Sequence, residues 1–82
     1  MHNNLSEIVQ AILQCKTEAE VEVFLLGILT PKELQDVCQR LKIVKLLKQG
    51  MPHHMIAEKL GVGVATVTRG SKQIQLGRFK TV

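Results

Sequence analysis

The sequence predicts an all-α fold, a small helical domain that ends in a helix-turn-helix unit. Three observations carry this expectation. Apolar residues recur at helical spacing in successive segments, capping boxes and glycines punctuate those segments, and the residues able to form a core are aliphatic. Hydrophobic residues make up 45% of the 82 positions, with two phenylalanines and neither tyrosine nor tryptophan, so Leu, Ile and Val must build the interior. A chain this short leaves much of its surface exposed when it folds alone, so its core needs completing.

The first helix follows from Leu5, Ile8, Val9, Ile12 and Leu13, which form one stripe at helical period. Thr17 followed by Glu20 is a capping box that opens a second helix, running to about Leu26 with Gly27 placed to end it. Thr30, Pro31 and Glu33 repeat the box, with proline at the first helical position where its missing N–H costs nothing. The third helix carries Leu34, Val37, Cys38, Leu41, Val44 and Leu47 on one stripe, widened by Ile43 and Leu46, and Gly50 stops it. Such a face exceeds what one neighbouring helix covers. It predicts a subunit interface and a homodimer, against the alternative of a tightly wrapped monomer.

After Gly50, Pro52 starts a short helix in which Ile56, Ala57 and Leu60 are the apolar positions and Gly61 the stop. A turn through Gly61, Val62 and Gly63 leads into a last helix from about Val64 to Leu76. A short helix, a glycine turn and a second helix are the parts of a helix-turn-helix, with Ala57 small at the crossing and Ile56, Leu60, Val62 and Val67 supplying the apolar lock. The chain therefore reads as one domain overall: residues 1–50 form a helical dimerisation part, residues 51–76 the helix-turn-helix, and residues 77–82 a tail. Arg78, Phe79, Lys80, Thr81 and Val82 read as a frayed end.

Composition narrows the function. With 22% charged residues and no long apolar run, a disordered chain and a membrane span are both disfavoured. Met1 to Glu7 is polar and shows no secretory signal, so the expectation is a soluble cytoplasmic protein. Cys15 and Cys38 lack a CxxC spacing and read as two small buried thiols, while the adjacent His53 and His54 would diverge on a helix, so no metal site is expected. Clustered carboxylates are lacking, as is a nucleophile at recognisable distance from a base, which argues against an enzyme.

Charge is divided along the chain. Residues 1–39 hold two lysines against six acids, a balance of −4, whereas from Arg40 onward nine basic residues face only Glu58, a balance of +8. The basic half should attract polyanions, with nucleic acid first among them. Placing Val67 inward puts Val64, Gly70, Ser71 and Ile74 on the buried side of the last helix and leaves Ala65, Thr68, Arg69 and Lys72 facing out. Ala65 removes bulk near the helix start, Thr66 and Thr68 offer hydroxyls to phosphates or base edges, and Arg69 and Lys72 bring positive charge. A plain solvated face would usually mix both signs, and no acid follows Glu58.

Leu29-Thr30-Pro31, then Arg40, Ile43 and Gly50, then the octet Val64 to Ser71 resemble the Trp repressor family over about residues 20–76. The octet is the most specific part, and the stretch from Ile12 through Leu47 looks closer to short Trp-repressor-like bacterial regulators. The resemblance implies an intertwined, all-helical homodimer that acts as a DNA-binding repressor on a palindromic operator. It implies DNA contacts from Gly63, Val64, Ala65, Thr66, Thr68, Arg69 and Lys72, with His53 and His54 standing where the family presents polar or basic groups to the operator. It further implies L-tryptophan as corepressor. Arg69 would bind the carboxylate, Arg40 would lie against the indole, Ile43, Thr66 and Gly70 would line the pocket, and Leu29 and Thr30 would enter from the other subunit.

Departures from the family pattern bear on the ligand. Gln73 stands where the family has a serine near the ligand amine, Gly27 replaces a bulky apolar residue, the connection from Gly50 to Gly61 is one residue shorter, and the C-terminal helix is absent. Two alternatives stay open: a DNA-binding relative that needs no ligand, and a helical dimerisation or adaptor module whose basic half binds protein or RNA.

Overall fold

A computed structural model describes residues 3–82, which form α1 (Asn3–Gln14), α2 (Glu18–Ile28), α3 (Pro31–Lys48), α4 (His53–Leu60) and α5 (Val64–Gln75), with no strand among them. Met1 and His2, which open the polar N-terminal stretch, lie outside the described residues. Among the described residues no helix is long and apolar enough to cross a membrane. The chain divides into two compact units, Met1–Leu34 and Gln35–Val82.

In the first unit the helix starts are set by side chains. The Thr17 hydroxyl accepts the Glu20 N–H at 3.1 Å, and Glu20 Oε1 accepts the Lys16 N–H at 2.9 Å, one residue outside the cap. At α3 the box is fully reciprocal: Thr30 Oγ1 accepts the Glu33 N–H at 3.1 Å and Glu33 Oε1 accepts the Thr30 N–H at 2.9 Å. Gly27 does not end α2. The helix runs through it to Ile28, with Leu29 as the C-cap donating to the Leu25 carbonyl at 3.0 Å. One interior glycine costs about 1 kcal/mol, less than the surrounding ladder supplies, and the effective stop is Pro31, which disfavours helical backbone just before it.

None of residues 4–34 is buried. The α1 stripe is intact but uncovered, with Leu13 76% exposed and Leu5, Ile8, Val9 and Ile12 also exposed. Cys15 is half-buried, its thiol near the Ala11 carbonyl at 3.6 Å.

The second unit has a core. Ile43, Ile56, Ala57 and Val67 are buried together, with Leu46, Leu47, Met51, Leu60 and Val62 packed against them. Gly61 ends α4 in the left-handed region at φ 68°, and the Val62 N–H returns to the Ala57 carbonyl at 3.0 Å. Gln39 Nε2 donates to the Leu60 carbonyl at 3.1 Å, tying α3 to the end of α4. The α3 stripe is divided: Ile43 and Val44 are buried, whereas Val37, Cys38 and Leu41 stay exposed. The expectation of two buried thiols is therefore corrected, because nothing within the single chain covers Cys38.

The tail is not frayed. Gly77, at φ 80°, reverses the chain after α5, its N–H donating to the Ile74 carbonyl at 2.9 Å while the Arg78 N–H donates to the Gln73 carbonyl at 3.1 Å. This paired arrangement closes a helix end, and the sequence signal for it was a glycine just past the last helical turn. Lys48 Nζ then donates to the Phe79 carbonyl and, at 2.9 Å, to the Val82 carbonyl.

Candidate functional site

The candidate face for a partner is built on α5. Val67 is fully buried against the core residues of α3 and α4, which orients the helix, and Ala65, Thr66, Thr68, Arg69 and Lys72 are exposed. Gly63 is the exposed N-cap and offers no side chain to cap the helix; its carbonyl accepts the Thr66 N–H at 3.1 Å, and the Val64 and Ala65 N–H groups stand at the positive end of the helix dipole. Val64 is 51% exposed and not on the buried side as expected. It is the first helical residue, and at this end the turn residue Val62 supplies the apolar contact to the core. His53 and His54 open α4, the first half-buried and the second exposed. The exposed part of α5 carries positive charge and no acid of its own, since Glu58 is the last acidic residue in the sequence.

A cavity of about 260 Å³ lies where α3, α5 and the tail meet. Six residues assigned to a ligand by resemblance come together on its wall: Arg40, Ile43, Thr66, Arg69, Gly70 and Gln73. Gly70 keeps α3 and α5 close, because a Cβ there would stand 3.1 Å from Ile43 Cγ2 and 3.5 Å from Leu47 Cδ1. Val44, Arg78 and Phe79 complete the lining. The last two belong to a stretch whose sequence reads as a frayed end, and Gly77 is the sequence signal that the chain turns back there. Leu29, half-buried, and Thr30, engaged in its capping box, belong to the first unit, and their assignment to the site depends on a second subunit. Among the described residues no group of three or more His, Cys, Asp or Glu could hold a metal ion.

The family model described as Trp repressor protein matches residues 3–80. The chain belongs to the Trp repressor family. Its relatives include a Trp operon repressor homolog of Vibrio vulnificus, 32% identical over 76 residues, covering 92% of this chain and 74% of the relative. A Trp operon repressor homolog of Photobacterium profundum is 37% identical over 70 residues, covering 84% and 68%. The protein named Uncharacterized protein YerC, of Bacillus subtilis, is 29% identical over 73 residues, covering 89% and 70%. No solved structure gives a significant match. The Trp repressor family is a family of helix-turn-helix regulators that bind DNA, and in this member of it α4, the Gly61-Val62-Gly63 turn and α5 form that unit. For a Trp repressor family chain, the basic face of α5 and the arginine-lined cavity beneath it are the two surfaces that need a chemical account.

Proposed function

We propose that this chain is a transcriptional repressor that binds a palindromic operator as a homodimer, with α5 as the reading helix and the cavity beside it as the site of a small effector. The observation that carries the DNA reading is the exposed face of Ala65, Thr68, Arg69 and Lys72 on a helix whose uncapped first turn is free to approach phosphate. Small residues let the helix enter a major groove, Arg69 suits base edges through its planar fork, and Lys72 suits phosphate as a point charge. The homodimer is supported by the uncovered apolar stripes of α1 and of the first half of α3, which a second copy would bury. Two paired reading helices then imply a site with matching two-fold symmetry.

For the effector, L-tryptophan is the ligand that family membership nominates. Arg69 would hold its carboxylate through two hydrogen bonds and Arg40 would lie on its indole face, with Gln73 nearest in role to the family's amine partner. Genome-wide footprinting with and without added L-tryptophan tests the proposal. Protected palindromic sites whose occupancy falls steeply with salt are the expected result. Occupancy that does not depend on added ligand would identify a regulator free of that switch, and weak, salt-insensitive association with DNA would remove the reading.

A further inference from the structure

Within its own length, α5 is anchored firmly only in its first half. Val67 is its one buried residue, and one turn later Gly70 lets the helix approach α3, a Cβ there standing 3.1 Å from Ile43 Cγ2. From Ser71 to Gln75 no residue is buried. A helix pinned near its start can swing about that point. The tail supplies a second attachment. Gly77 reverses the chain at φ 80°, and the Gly77 and Arg78 N–H groups return to the Ile74 and Gln73 carbonyls at 2.9 and 3.1 Å. Lys48, the last residue of α3, then donates to the Phe79 carbonyl and, at 2.9 Å, to the Val82 carbonyl, while the Val82 N–H donates to the Phe79 carbonyl at 3.3 Å. Phe79 is half-buried and shares the cavity wall with Ile43 and Val44.

Resting on the reading of α5 as the helix that reads DNA, we propose that residues 77–82 are a strap that fixes the direction of α5 against α3, with Lys48 and Phe79 as the positioning residues that hold it. Lys48 contributes charge-assisted hydrogen bonds to the strap's backbone, and Phe79 contributes apolar contact. Neither residue belongs to α5. Their part in operator binding is preorganisation. Two attachments, one at Gly70 and one through the strap, define the helix axis. One attachment leaves a range of directions, and only a fraction of them sets Arg69 and Lys72 against base edges and phosphates together. Attraction to DNA of any sequence needs positive charge but not a fixed direction. Loss of the strap therefore separates the two kinds of binding, whereas loss of a plain phosphate contact weakens both.

The test measures the full chain and its variants by fluorescence anisotropy on a footprinted operator duplex and on a random duplex, across a salt series. Phe79→Ala is expected to lower operator affinity about fivefold or more, because apparent affinity scales with the fraction of correctly directed helices, and to leave random-duplex affinity unchanged. Lys48→Met should lower operator affinity more than random-duplex affinity, and Lys48→Arg, which keeps a charged donor, should restore most of the loss. Both residues act through one strap, so the double variant should lose little more than the weaker-binding single variant. Hydrogen exchange should quicken in the last turn of α5 and in the tail while the α4 amides keep their protection, which also shows that each variant is folded. If Lys48→Met weakens both duplexes alike and reduces the salt slope by about one while Phe79→Ala changes nothing, Lys48 is a phosphate contact and the strap is overturned. Fully additive losses, or parental operator affinity in both single variants, overturn it as well and leave α5 standing as the reading helix. A parent chain that binds both duplexes equally removes that reading, and this inference with it.

Discussion

Arg69 belongs to two surfaces at once, the exposed face of α5 and the wall of the cavity. Its loss should therefore reach further than that of a neighbour on the same face. Arg69→Ala is expected to lower operator affinity about tenfold or more, the worth of a charged hydrogen bond. Lys72→Ala should weaken all sequences evenly and reduce the salt slope by about one. Fluorescence anisotropy on labelled operator and random duplexes, across a salt series, separates the two, and unchanged operator affinity in Arg69→Ala would mean that another face reads the DNA. Gly70 is a different kind of residue, important for what it lacks. With Ile43 Cγ2 3.1 Å from the position of a Cβ, Gly70→Val should overpack the α3–α5 crossing and cost about 1–3 kcal/mol, measurable by urea unfolding.

At the level of the helix and its ends, the chain follows short-range rules closely. The capping box at Thr30 forms in full and the one at Thr17 with its return bond shifted to the Lys16 N–H, α3 begins at Pro31, α4 closes at a left-handed Gly61, and α5 begins after Gly63. Thr30→Ala removes the acceptor for the Glu33 N–H and should cost about 1 kcal/mol. Gly61→Ala places a Cβ in a left-handed backbone at φ 68° and should cost about 1 kcal/mol, with the helix-turn-helix losing order first. Hydrogen exchange of the α4 and α5 amides would locate that loss, and exchange unchanged from the parent would contradict it. Local signals misled at Gly27 and at the tail for one reason: a glycine near a helix end can be interior or terminal, and the hydrogen bonds around it decide which. The Leu25 carbonyl carried α2 past Gly27, whereas the Gln73 and Ile74 carbonyls drew the chain back after Gly77.

For the molecule as a whole, the question is what covers the apolar residues that the single chain leaves bare. Leu13, 76% exposed on α1, is a sensitive probe. On a surface that meets only water, Leu13→Glu would be nearly neutral; on a homodimer face it buries a charge and should dissociate the pair. Sedimentation at micromolar concentration is expected to give twice the chain mass for the parent and a lower mass for Leu13→Glu. A parent sedimenting at the single chain mass would remove the two-headed docking geometry. Operator binding should respond in parallel, since two linked reading heads gain affinity that one head lacks.

The helical class, the order of five helices, the punctuation at Thr17, Thr30 and Gly61, and the basic character of the last helix were all legible in residue order, because each depends on neighbours within one or two turns. The exposed set of α5 side chains, Val64 apart, was legible for the same reason once Val67 was placed inward. The cavity was not legible from spacing. It joins Arg40 on α3, Arg69 on α5 and Arg78 in the tail, and the family resemblance carried no role for Arg78 or Phe79. Whether the α3 stripe was buried by its own chain could not be read from periodicity either, since a helical period says which residues share a face and not what meets it. The folded chain buries Ile43 and Val44 and leaves Val37, Cys38 and Leu41 in the open. Side-chain spacing is a property of one helix, whereas burial and convergent charge are properties of helices brought together, and only the tertiary structure holds that information.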